Sequence, residues 1–272
     1  MATIMYGKEV ADSMLQNWES HKNACLYIFS NEDDPASKVY VRNKKTKCEE
    51  QGLKCEVFNI SQASILEVRN LLKNYIPKRS ENYIIFQKPL PKQLQSYESE
   101  LDNFLAKHPK MDIDAFEGDL STEFKTPATP LGVIKMLDYY VGLKNIDGMN
   151  AVVIGRSKIV GKPMANLLLK YNCTVTVCHS HTKDLSFYTK SADLIVSAVG
   201  KPKFLTAEYI GENKPIVVDV GINRDENGKL CGDVDFDAIE PKCSFISPVP
   251  KGVGVLTVAS LVYKMGKKIS WL

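Results

Sequence analysis

Four polar residues in the first half of the chain have side chains suited to binding a polar heterocycle and moving one proton. Tyr40 and Lys44 are four residues apart in a helical pattern, so they share one face of the predicted helix. Gln87 ends an apolar strand pattern shortly before a rigid Pro-Leu-Pro turn, and Asp114 follows another aspartate by two residues. A phenol, an amine, an amide and a carboxylate are the groups that such chemistry uses. The residues alone leave open a second interpretation, a solvated helix face that is rich in lysine.

A second candidate site is a strand, a turn and a helix over residues 152–169. The strand pattern ends in Gly155 and the helix pattern begins near Gly161, which predicts an anion-binding turn at a helix N-terminus. The spacing departs from GxGxxG, and two glycines at such a turn also occur for structural reasons, so both interpretations stay open on the pattern alone. The candidate cofactor-binding residues of this segment are Gly155, Arg156, Ser157, Ile159, Val160 and Gly161.

The end of the next strand pattern indicates which dinucleotide the turn would bind. NAD sites commonly place a carboxylate there for the ribose hydroxyls, and that carboxylate would repel a 2′-phosphate. In this chain no acid follows Cys178 before Asp184. Arg156 and Ser180 offer a guanidinium and a hydroxyl instead, and His179 lies beside them. The sequence therefore predicts NADP as the cofactor.

Alternating strand and helix patterns position these residues and predict an α/β fold. The apolar strand patterns suit parallel strands that are buried on both faces. They cover Ala24–Ser30, Lys54–Ile60, Asn82–Gln87, Ala151–Gly155, Cys173–Cys178, Ala192–Gly200, Pro215–Gly221 and Ser244–Val249. Helix patterns cover Pro35–Gln51, Ser61–Tyr75, Lys92–Lys107, Thr129–Val141, Gly161–Tyr171 and Val253–Lys264.

Length and composition exclude several classes of protein. The 272 residues predict two domains, and 35 basic against 32 acidic residues give a net charge of +3, too mild to predict a nucleic-acid partner. No apolar run approaches the roughly 20 residues that span a bilayer, and the first residues lack a signal-peptide core, so we expect a cytoplasmic protein without a membrane partner. The seven cysteines show no CxxC spacing and the four histidines no HExxH pattern. We therefore expect neither a disulfide framework nor a metal site.

Ten segments, in this order, make the sequence resemble the methylenetetrahydrofolate dehydrogenase/cyclohydrolase family along essentially its whole length. One such segment would be a weak signal, whereas ten with compatible spacing are specific. They are Asp34–Gly52, Gln87–Pro91, Asp112–Phe116, Thr126–Val133, Gly155–Pro163, Thr174–Thr182, Ala192–Pro202, Val217–Asn223, Gly232–Phe236 and Pro248–Thr257.

The resemblance implies two α/β domains flanking a cleft, the second a Rossmann-type parallel sheet, with the C-terminal helix returning to the first. The implied folate-binding catalytic domain is 1–132 with 253–272, and the implied NADP-binding domain is 133–252. The implied activity is the oxidation of 5,10-methylenetetrahydrofolate with NADP and the hydrolysis of the 5,10-methenyl product to 10-formyltetrahydrofolate. A cytoplasmic homodimer, paired through the second domain, and a place in one-carbon metabolism and purine biosynthesis are further implications.

The resemblance also assigns residues by position. Lys44, Gln87, Tyr40 and Asp114 match the family's catalytic residues, and Tyr40 and Asp114 also match substrate contacts. Lys44 is the expected proton-transfer group, with Gln87 holding it. Further substrate positions are Pro250, Gly252 and Gly254, and further cofactor positions are Gly200, Gly221, Asn223 and Thr257, beside the turn residues, His179 and Ser180.

Several positions depart from the family's usual pattern, although none removes a proposed catalytic group. Ala115 and Lys251 stand where the family usually has glycine, Lys88 where it has leucine, Ala128 where it has cysteine, and Val255 where it has proline. These changes alter the expected walls of the folate site. Two alternatives therefore stay open: a dehydrogenase with weak or no cyclohydrolase activity, and a non-catalytic paralogue that binds folate or a nucleotide.

Overall fold

The computed structural model of the chain describes residues 1–20, 24–75, 82–115 and 118–266, and these form two compact units. The smaller unit is Asn17–Lys125 with Leu261–Leu272, of which 267–272 lie outside the described part. The larger unit is Met1–Gln16 with Thr126–Ser260. The helix Val253–Lys264 therefore contributes its first eight residues to the larger unit and the rest to the smaller one.

Strands and helices alternate through most of the described residues. The strands are β1 Thr3–Ile4, β2 Cys25–Ser30, β3 Lys54–Asn59, β4 Asn82–Phe86, β5 Asn150–Ile154, β6 Thr174–Cys178, β7 Leu194–Ser197, β8 Ile216–Asp219, β9 Asn223–Arg224, β10 Leu230–Cys231 and β11 Phe245–Ile246. The α-helices are α1 Gly7–Leu15, α2 Pro35–Glu50, α3 Ile65–Tyr75, α4 Glu98–Lys107, α5 Ala128–Tyr140, α6 Gly161–Lys170, α7 Leu185–Thr189, α8 Phe236–Ile239 and α9 Val253–Lys264. Short 3-10 helices cover Lys92–Tyr97, Leu143–Ile146, Ala207–Tyr209 and Glu240–Lys242.

The larger unit contains a six-stranded sheet in the order β1-β11-β8-β7-β5-β6, and its strand pairs are all parallel. Its central strands are buried throughout, which explains why their sequences are apolar from end to end. Because the strands are parallel, their carboxyl ends lie along one edge of the sheet, and the loops that follow them share that edge. Predicted site residues follow five of these strands, at Gly155, His179, Gly200, Gly221 and Pro250.

The smaller unit contains a three-stranded parallel sheet in the order β3-β2-β4. Phe29 on β2 and Phe86 on β4 pack with residues of α3 and α4 in one apolar core. At the free edge of β4, the N–H of Ile84 donates a 2.8 Å hydrogen bond to the carbonyl oxygen of Met111. This bond attaches the loop that carries Asp114 to the middle of β4. Gln87 directly follows the end of the same strand.

The predicted α/β fold class is confirmed, whereas the compact units differ from the predicted domain boundaries. Residues 1–16 group with the larger unit because β1 extends its sheet, with Thr3 opposite Phe245. The N–H of Gly7 also donates a 2.8 Å hydrogen bond to the carbonyl oxygen of Lys251. A two-residue strand has too few residues to show a periodicity, so the sequence did not reveal this pairing.

Two classes of feature are absent from the described ranges. No helix there is long and apolar enough to cross a membrane. No group of three or more histidine, cysteine, aspartate or glutamate side chains in the same ranges is arranged to hold a metal ion. The seven cysteines are free thiols. Phe116, at the end of one of the ten family segments, lies outside the described residues.

Candidate active site

A hydrogen-bonded pair, Lys44 and Gln87, forms the centre of the candidate site in the smaller unit. Lys44 is 7% exposed, and its Nζ donates a 2.9 Å hydrogen bond to Oε1 of Gln87. The Nε2 of Gln87 donates in turn to the carbonyl oxygen of Lys88, also at 2.9 Å. Since this second bond orients the amide with its oxygen toward the lysine, the ammonium is held in one position. The structure thus brings together the two residues that the sequence placed 43 residues apart.

Local signals on helix α2 and strand β4 explain how the pair is positioned. Asp34 caps the helix, accepting a 2.7 Å hydrogen bond from the N–H of Ser37, and Pro35 is the first helical residue. Lys44 lies near the middle of this helix, one turn after Tyr40. The N–H of Gln87 donates to the carbonyl oxygen of Phe29 at 2.9 Å, which continues the β2–β4 ladder by one residue. Both partners are therefore fixed by regular secondary structure.

Tyr40 and Asp114 are the predicted aromatic and acidic site residues of the smaller unit. Burial raises the pKa of the Tyr40 phenol, so it stays protonated at neutral pH. Asp114 is 9% exposed, and no group of the described residues donates a hydrogen bond to its carboxylate. A buried carboxylate that accepts no hydrogen bond from the described residues is suited to accept hydrogen bonds from a ligand. Both predicted residues therefore have the properties that substrate binding requires.

The structure shows the local environment of two residues in the smaller unit that depart from the family pattern, Lys88 and Ala115. Lys88 does not present an unpaired charge, because its Nζ lies 2.5 Å from Oε1 of Glu98 and 3.1 Å from Oδ1 of Asp102. Burial opposes the charge of Lys88, yet the hydrogen bonds with both acids outweigh it and raise the pKa. Ala115 has a φ of 53°, in the left-handed region that favours glycine. The alanine therefore strains the loop directly after Asp114.

A cavity of about 810 Å³ in the larger unit forms a second candidate site. It opens at the carboxyl ends of β5, β6 and β7, where open α/β sheets bind their ligands. Five predicted cofactor residues line it together: Gly155, Arg156, Ser157, His179 and Ser180. Ile159, Val160 and Gly161 lie in the adjoining turn and the first turn of α6. Its volume falls in the range of sites for small molecules and cofactors.

The glycines of the β5–α6 turn are required by its close packing. Gly155 has a φ of 120°, and a Cβ there would lie 2.3 Å from the carbonyl oxygen of Ala198. A Cβ on Gly161 would lie 2.2 Å from the carbonyl oxygen of Gly155. The hydroxyl oxygen of Ser157 accepts from the N–H groups of Val160 and Gly161, at 3.2 and 3.3 Å. The Ser157 hydroxyl therefore lies at a helix N-terminus, a position that favours an anionic ligand.

The two acidic residues in the cavity wall, Asp184 and Glu208, accept hydrogen bonds from neighbouring groups. Asp184 caps α7, accepting hydrogen bonds from Ser186 Oγ at 2.8 Å and from the Phe187 N–H at 3.2 Å. Glu208 accepts from the hydroxyl of Thr206 at 3.0 Å. Partial burial lowers the pKa of His179, and the charge of nearby Arg156 lowers it further. The polar groups present thus fit a phosphorylated ribose, with a guanidinium close to the end of β6 and no carboxylate directly after that strand.

Asp233, a residue without a predicted role, organises two further predicted cofactor positions, Gly200 and Asn223. Its carboxylate accepts hydrogen bonds from the N–H groups of Val199, Gly200 and Lys201, at 2.6, 3.2 and 3.0 Å. It also accepts from Nδ2 of Asn223 at 2.8 Å. Two predicted cofactor residues, Gly200 and Asn223, are therefore held by one buried acid. The only sequence signal was the family segment Gly232–Phe236, which contains Asp233.

A second buried acid, Asp219, supports the same loops from the end of β8. Its two oxygens accept from the N–H groups of Gly221, Asp233 and Val234, at 2.9, 3.0 and 2.9 Å. Burial raises the pKa of Asp219 to about 7, against the effect of these donors and with a contribution from the charge of Asp233. Gly221 is required here, because a Cβ on it would lie 2.2 Å from Oδ1 of Asp233.

The last predicted residues lie in the β11–α9 loop and on α9. Gly252 packs against α1, since a Cβ on Gly7 would lie 2.2 Å from the carbonyl oxygen of Gly252. Lys251, the second departure at a glycine position, has a φ of 80°. On α9, the hydroxyls of Thr257 and Thr129 share a 2.9 Å hydrogen bond. Pro250 follows a cis peptide bond, and Gly254 lies in the first turn of α9.

The parallel sheet, the glycine turn and the cavity of the larger unit define a dinucleotide-binding α/β protein, with a buried lysine–glutamine pair in its smaller unit. Comparison with known families refines this class. Residues 5–113 match the catalytic domain of tetrahydrofolate dehydrogenase/cyclohydrolase, and residues 127–270 match its NAD(P)-binding domain. The chain belongs to the tetrahydrofolate dehydrogenase/cyclohydrolase family, which confirms the family inferred from the ten segments.

Relatives with the same two domains match nearly the whole chain. The bifunctional protein FolD of Agathobacter rectalis is 44% identical, over 96% of this chain and 97% of the relative. The crystal structure of the bifunctional methylenetetrahydrofolate dehydrogenase/cyclohydrolase FolD from Campylobacter jejuni is 36% identical, with a TM-score of 0.81 and 97% of each chain covered. The Trypanosoma brucei enzyme, complexed with NADP cofactor and an inhibitor, is 25% identical with a TM-score of 0.80, covering 97% and 96%.

Proposed function

We propose that this chain oxidises 5,10-methylenetetrahydrofolate with NADP and hydrolyses the 5,10-methenyl product to 10-formyltetrahydrofolate. The observation that carries the proposal is the buried ammonium of Lys44, held by Gln87 in the unit that matches the family's catalytic domain. A chain that only bound folate would have no need to bury and orient this group. The smaller unit is thus proposed as the folate half, and the larger unit as the NADP half.

In the folate half, Asp114 and Tyr40 hold the substrate. The Asp114 carboxylate accepts hydrogen bonds from the amino and ring N–H groups of the pterin, and its burial excludes water as a competitor. The half-buried Tyr40 ring borders the folate and presents an apolar face to it. Pro250, Gly252 and Gly254 belong to the larger unit, and they are proposed as further substrate contacts with support from the family pattern alone.

In the NADP half, the residues of the larger unit bind and orient the dinucleotide. Arg156 and Ser180 bind the 2′-phosphate, and Ser157 with the N-terminus of α6 binds the pyrophosphate. Gly200, Gly221, Asn223 and Thr257 are proposed to border the nicotinamide, in loops that Asp233 and Asp219 stabilise. The dinucleotide that these residues would hold would supply the hydride acceptor for the one-carbon bridge. The folate nitrogens stabilise the resulting cation, so the protein needs no strong base for this step.

In the hydrolysis, Lys44 moves a proton. The oxygen of water bonds to the methenyl carbon, and the bond between that carbon and N5 breaks. One proton goes to N5 and one leaves to solvent, so the cationic substrate becomes neutral 10-formyltetrahydrofolate. The Lys44 Nζ is the proton-transfer group of the folate half, and Gln87 keeps it in place.

A homodimer paired through the larger unit is part of the proposal. Strand β6 is an edge strand of the six-stranded sheet, and Val177 on it is exposed. Phe187, which follows β6 in the chain, is 72% exposed. An apolar edge of this kind supports pairing with a second copy, and size-exclusion chromatography with light scattering measures it. Cytoplasmic localisation and supply of formyl groups to purine biosynthesis are proposed from the family resemblance.

A spectrophotometric assay with 5,10-methylenetetrahydrofolate and each nicotinamide cofactor tests the proposed function. We expect reduction of NADP, transient 5,10-methenyltetrahydrofolate and accumulation of the 10-formyl product. Accumulation of the methenyl compound alone would identify a dehydrogenase without cyclohydrolase activity. No turnover, with folate and nucleotide still bound, would identify a non-catalytic binding protein and refute the proposal.

A further inference from the structure

Lys264, the last residue of helix α9, is a fully buried cation to which the steps proposed above give no role. Its side chain is 0% exposed, and its Nζ donates a 2.7 Å hydrogen bond to the carbonyl oxygen of Ile113. The same Nζ lies 5.7 Å from the centre of the Phe124 ring. Since Ile113 stands between Asp112 and Asp114, the ammonium is bound to the backbone of the loop that carries the proposed pterin ligand.

Burial of this ammonium has a large energetic cost that the surrounding groups offset. The Ile113 carbonyl replaces only part of the lost hydration, and the face of the Phe124 ring adds a cation–π contact. Burial lowers the pKa of Lys264 to about 8, while the negative charges of Asp114 and Asp112 oppose this shift. Lys264 is therefore mostly cationic at neutral pH. Because an apolar side chain would fill the same space at lower cost, the charge calls for an explanation beyond packing.

Two other hydrogen bonds hold this loop, but they do not fix the position of Asp114. The Met111 carbonyl is tied to Ile84, and Oδ1 of Asp112 accepts a 2.9 Å hydrogen bond from the N–H of Ala115. Neither bond fixes the backbone immediately before Asp114. The bond from Lys264 to Ile113 does so, and it brings a positive charge close to the Asp114 carboxylate.

We propose that Lys264 is a positioning residue for folate recognition, which fixes the Ile113 carbonyl and thereby presents Asp114 as a charged acceptor to the pterin. The ligand of Lys264 is the loop, and its effect on the substrate passes through Asp114. This inference rests on the proposed function, because the pterin is the group that Asp114 would recognise.

Lys264→Met tests the proposal, because methionine keeps the unbranched apolar stem and removes the ammonium. We expect the KM for 5,10-methylenetetrahydrofolate to rise about tenfold, the effect of losing one charged hydrogen bond. The kcat should change much less, and the affinity for NADP, measured by fluorescence titration, should stay unchanged. Lys264→Gln keeps an N–H donor without the charge, so we expect an intermediate KM.

Tyr263→Phe is the matched control, since it alters the neighbouring residue of the same helix and removes a 2.8 Å hydrogen bond to Glu123. We expect a loss of stability in this variant but no change in the folate KM. The wild-type chain is assayed first, because absence of turnover there refutes the proposed function. With an active wild type, a folate KM within twofold of wild type in Lys264→Met overturns the role of Lys264 alone. If Lys264→Met does not fold, an unchanged KM in Lys264→Gln overturns it equally.

Discussion

The ammonium of Lys44 and the amide oxygen of Gln87 meet at 2.9 Å, which joins the middle of helix α2 to the residue after strand β4. The contact is buried on the lysine side, so it is shielded from competing water. The amide of Gln87 is oriented by its own bond to the Lys88 carbonyl. A lysine held in this way has one available geometry, which is a requirement for proton transfer to a bound substrate.

Lys44→Met should abolish the cyclohydrolase reaction while binding of NADP survives. The substitution removes the proton-transfer group but keeps an apolar stem of similar length, and the larger unit is untouched. Hydrolysis of 5,10-methenyltetrahydrofolate, followed by its absorbance, measures the effect. Lys45→Met, at an exposed position beside Glu49, is the control and should retain full activity. Wild-type hydrolysis in Lys44→Met would remove Lys44 from the mechanism.

Arg156→Ala should reduce the preference for NADP over NAD. The guanidinium is the cation of the cavity wall proposed to meet the 2′-phosphate, and NAD has no such group. We expect the KM for NADP to rise at least about tenfold, as for loss of a charged hydrogen bond, and the KM for NAD to change little. Initial rates with both cofactors measure this, and NAD serves as the internal control. An equal loss with the two cofactors would contradict the assignment.

Ala115→Gly should stabilise the protein by about 1 kcal/mol, because it relieves a left-handed backbone conformation. Urea unfolding followed by circular dichroism measures the change. Ala106→Gly, at an exposed position in the last turn of α4, is the opposite control and should destabilise the protein. Lys251→Gly should stabilise the protein for the same reason, because Lys251 has a φ of 80°. A loss of stability in Ala115→Gly would show that the loop gains more from the alanine side chain than the strain costs.

Asp112→Asn should alter the pH dependence of stability. Burial raises the pKa of Asp112 to about 6, with the charge of Asp114 adding to the shift and the Ala115 N–H and Lys264 opposing it. The folded protein thus holds this proton more tightly than the unfolded chain, whose aspartates titrate at about pH 4. The stabilisation is fully present below pH 4 and is lost as the pH rises to about 6.

The asparagine variant lacks this titration but keeps an oxygen for the Ala115 N–H. The wild type should therefore lose up to about 3 kcal/mol relative to Asp112→Asn between about pH 4 and about pH 6.5. Urea unfolding at these two pH values measures the difference. An unchanged difference between the two proteins at both pH values would show that folding does not raise the pKa of Asp112.

Local signals made much of the secondary structure predictable. Helix α2 was predicted over Pro35–Gln51 and forms over Pro35–Glu50. Its limits are set by neighbours in sequence, the Asp34 cap before it and Gly52, with a φ of 67°, after it. The buried parallel strands were equally visible, because burial on both faces leaves an uninterrupted apolar run.

The candidate site was predictable only in part. The positions of Lys44 and Gln87 followed from the family pattern, and the structure adds their hydrogen bond. Asp233 received no role because its donors come from Val199–Lys201 and from Asn223, segments that local sequence does not connect to it. Lys264 was unnoticed for a related reason, since a lysine at the end of a helix pattern ordinarily indicates a solvated position.

The sequence by itself determined the α/β alternation, the glycine turn, the family and the identity of the groups available for chemistry. These features depend on residue type and spacing along the chain. Only the tertiary structure decided that β1 extends the sheet of the larger unit, that Asp233 joins the loops of Gly200 and Asn223, and that Lys264 is buried against the Ile113 carbonyl. Each of these depends on contacts between residues far apart in sequence, whose free energy comes from burial and hydrogen bonding that form only when the chain is folded.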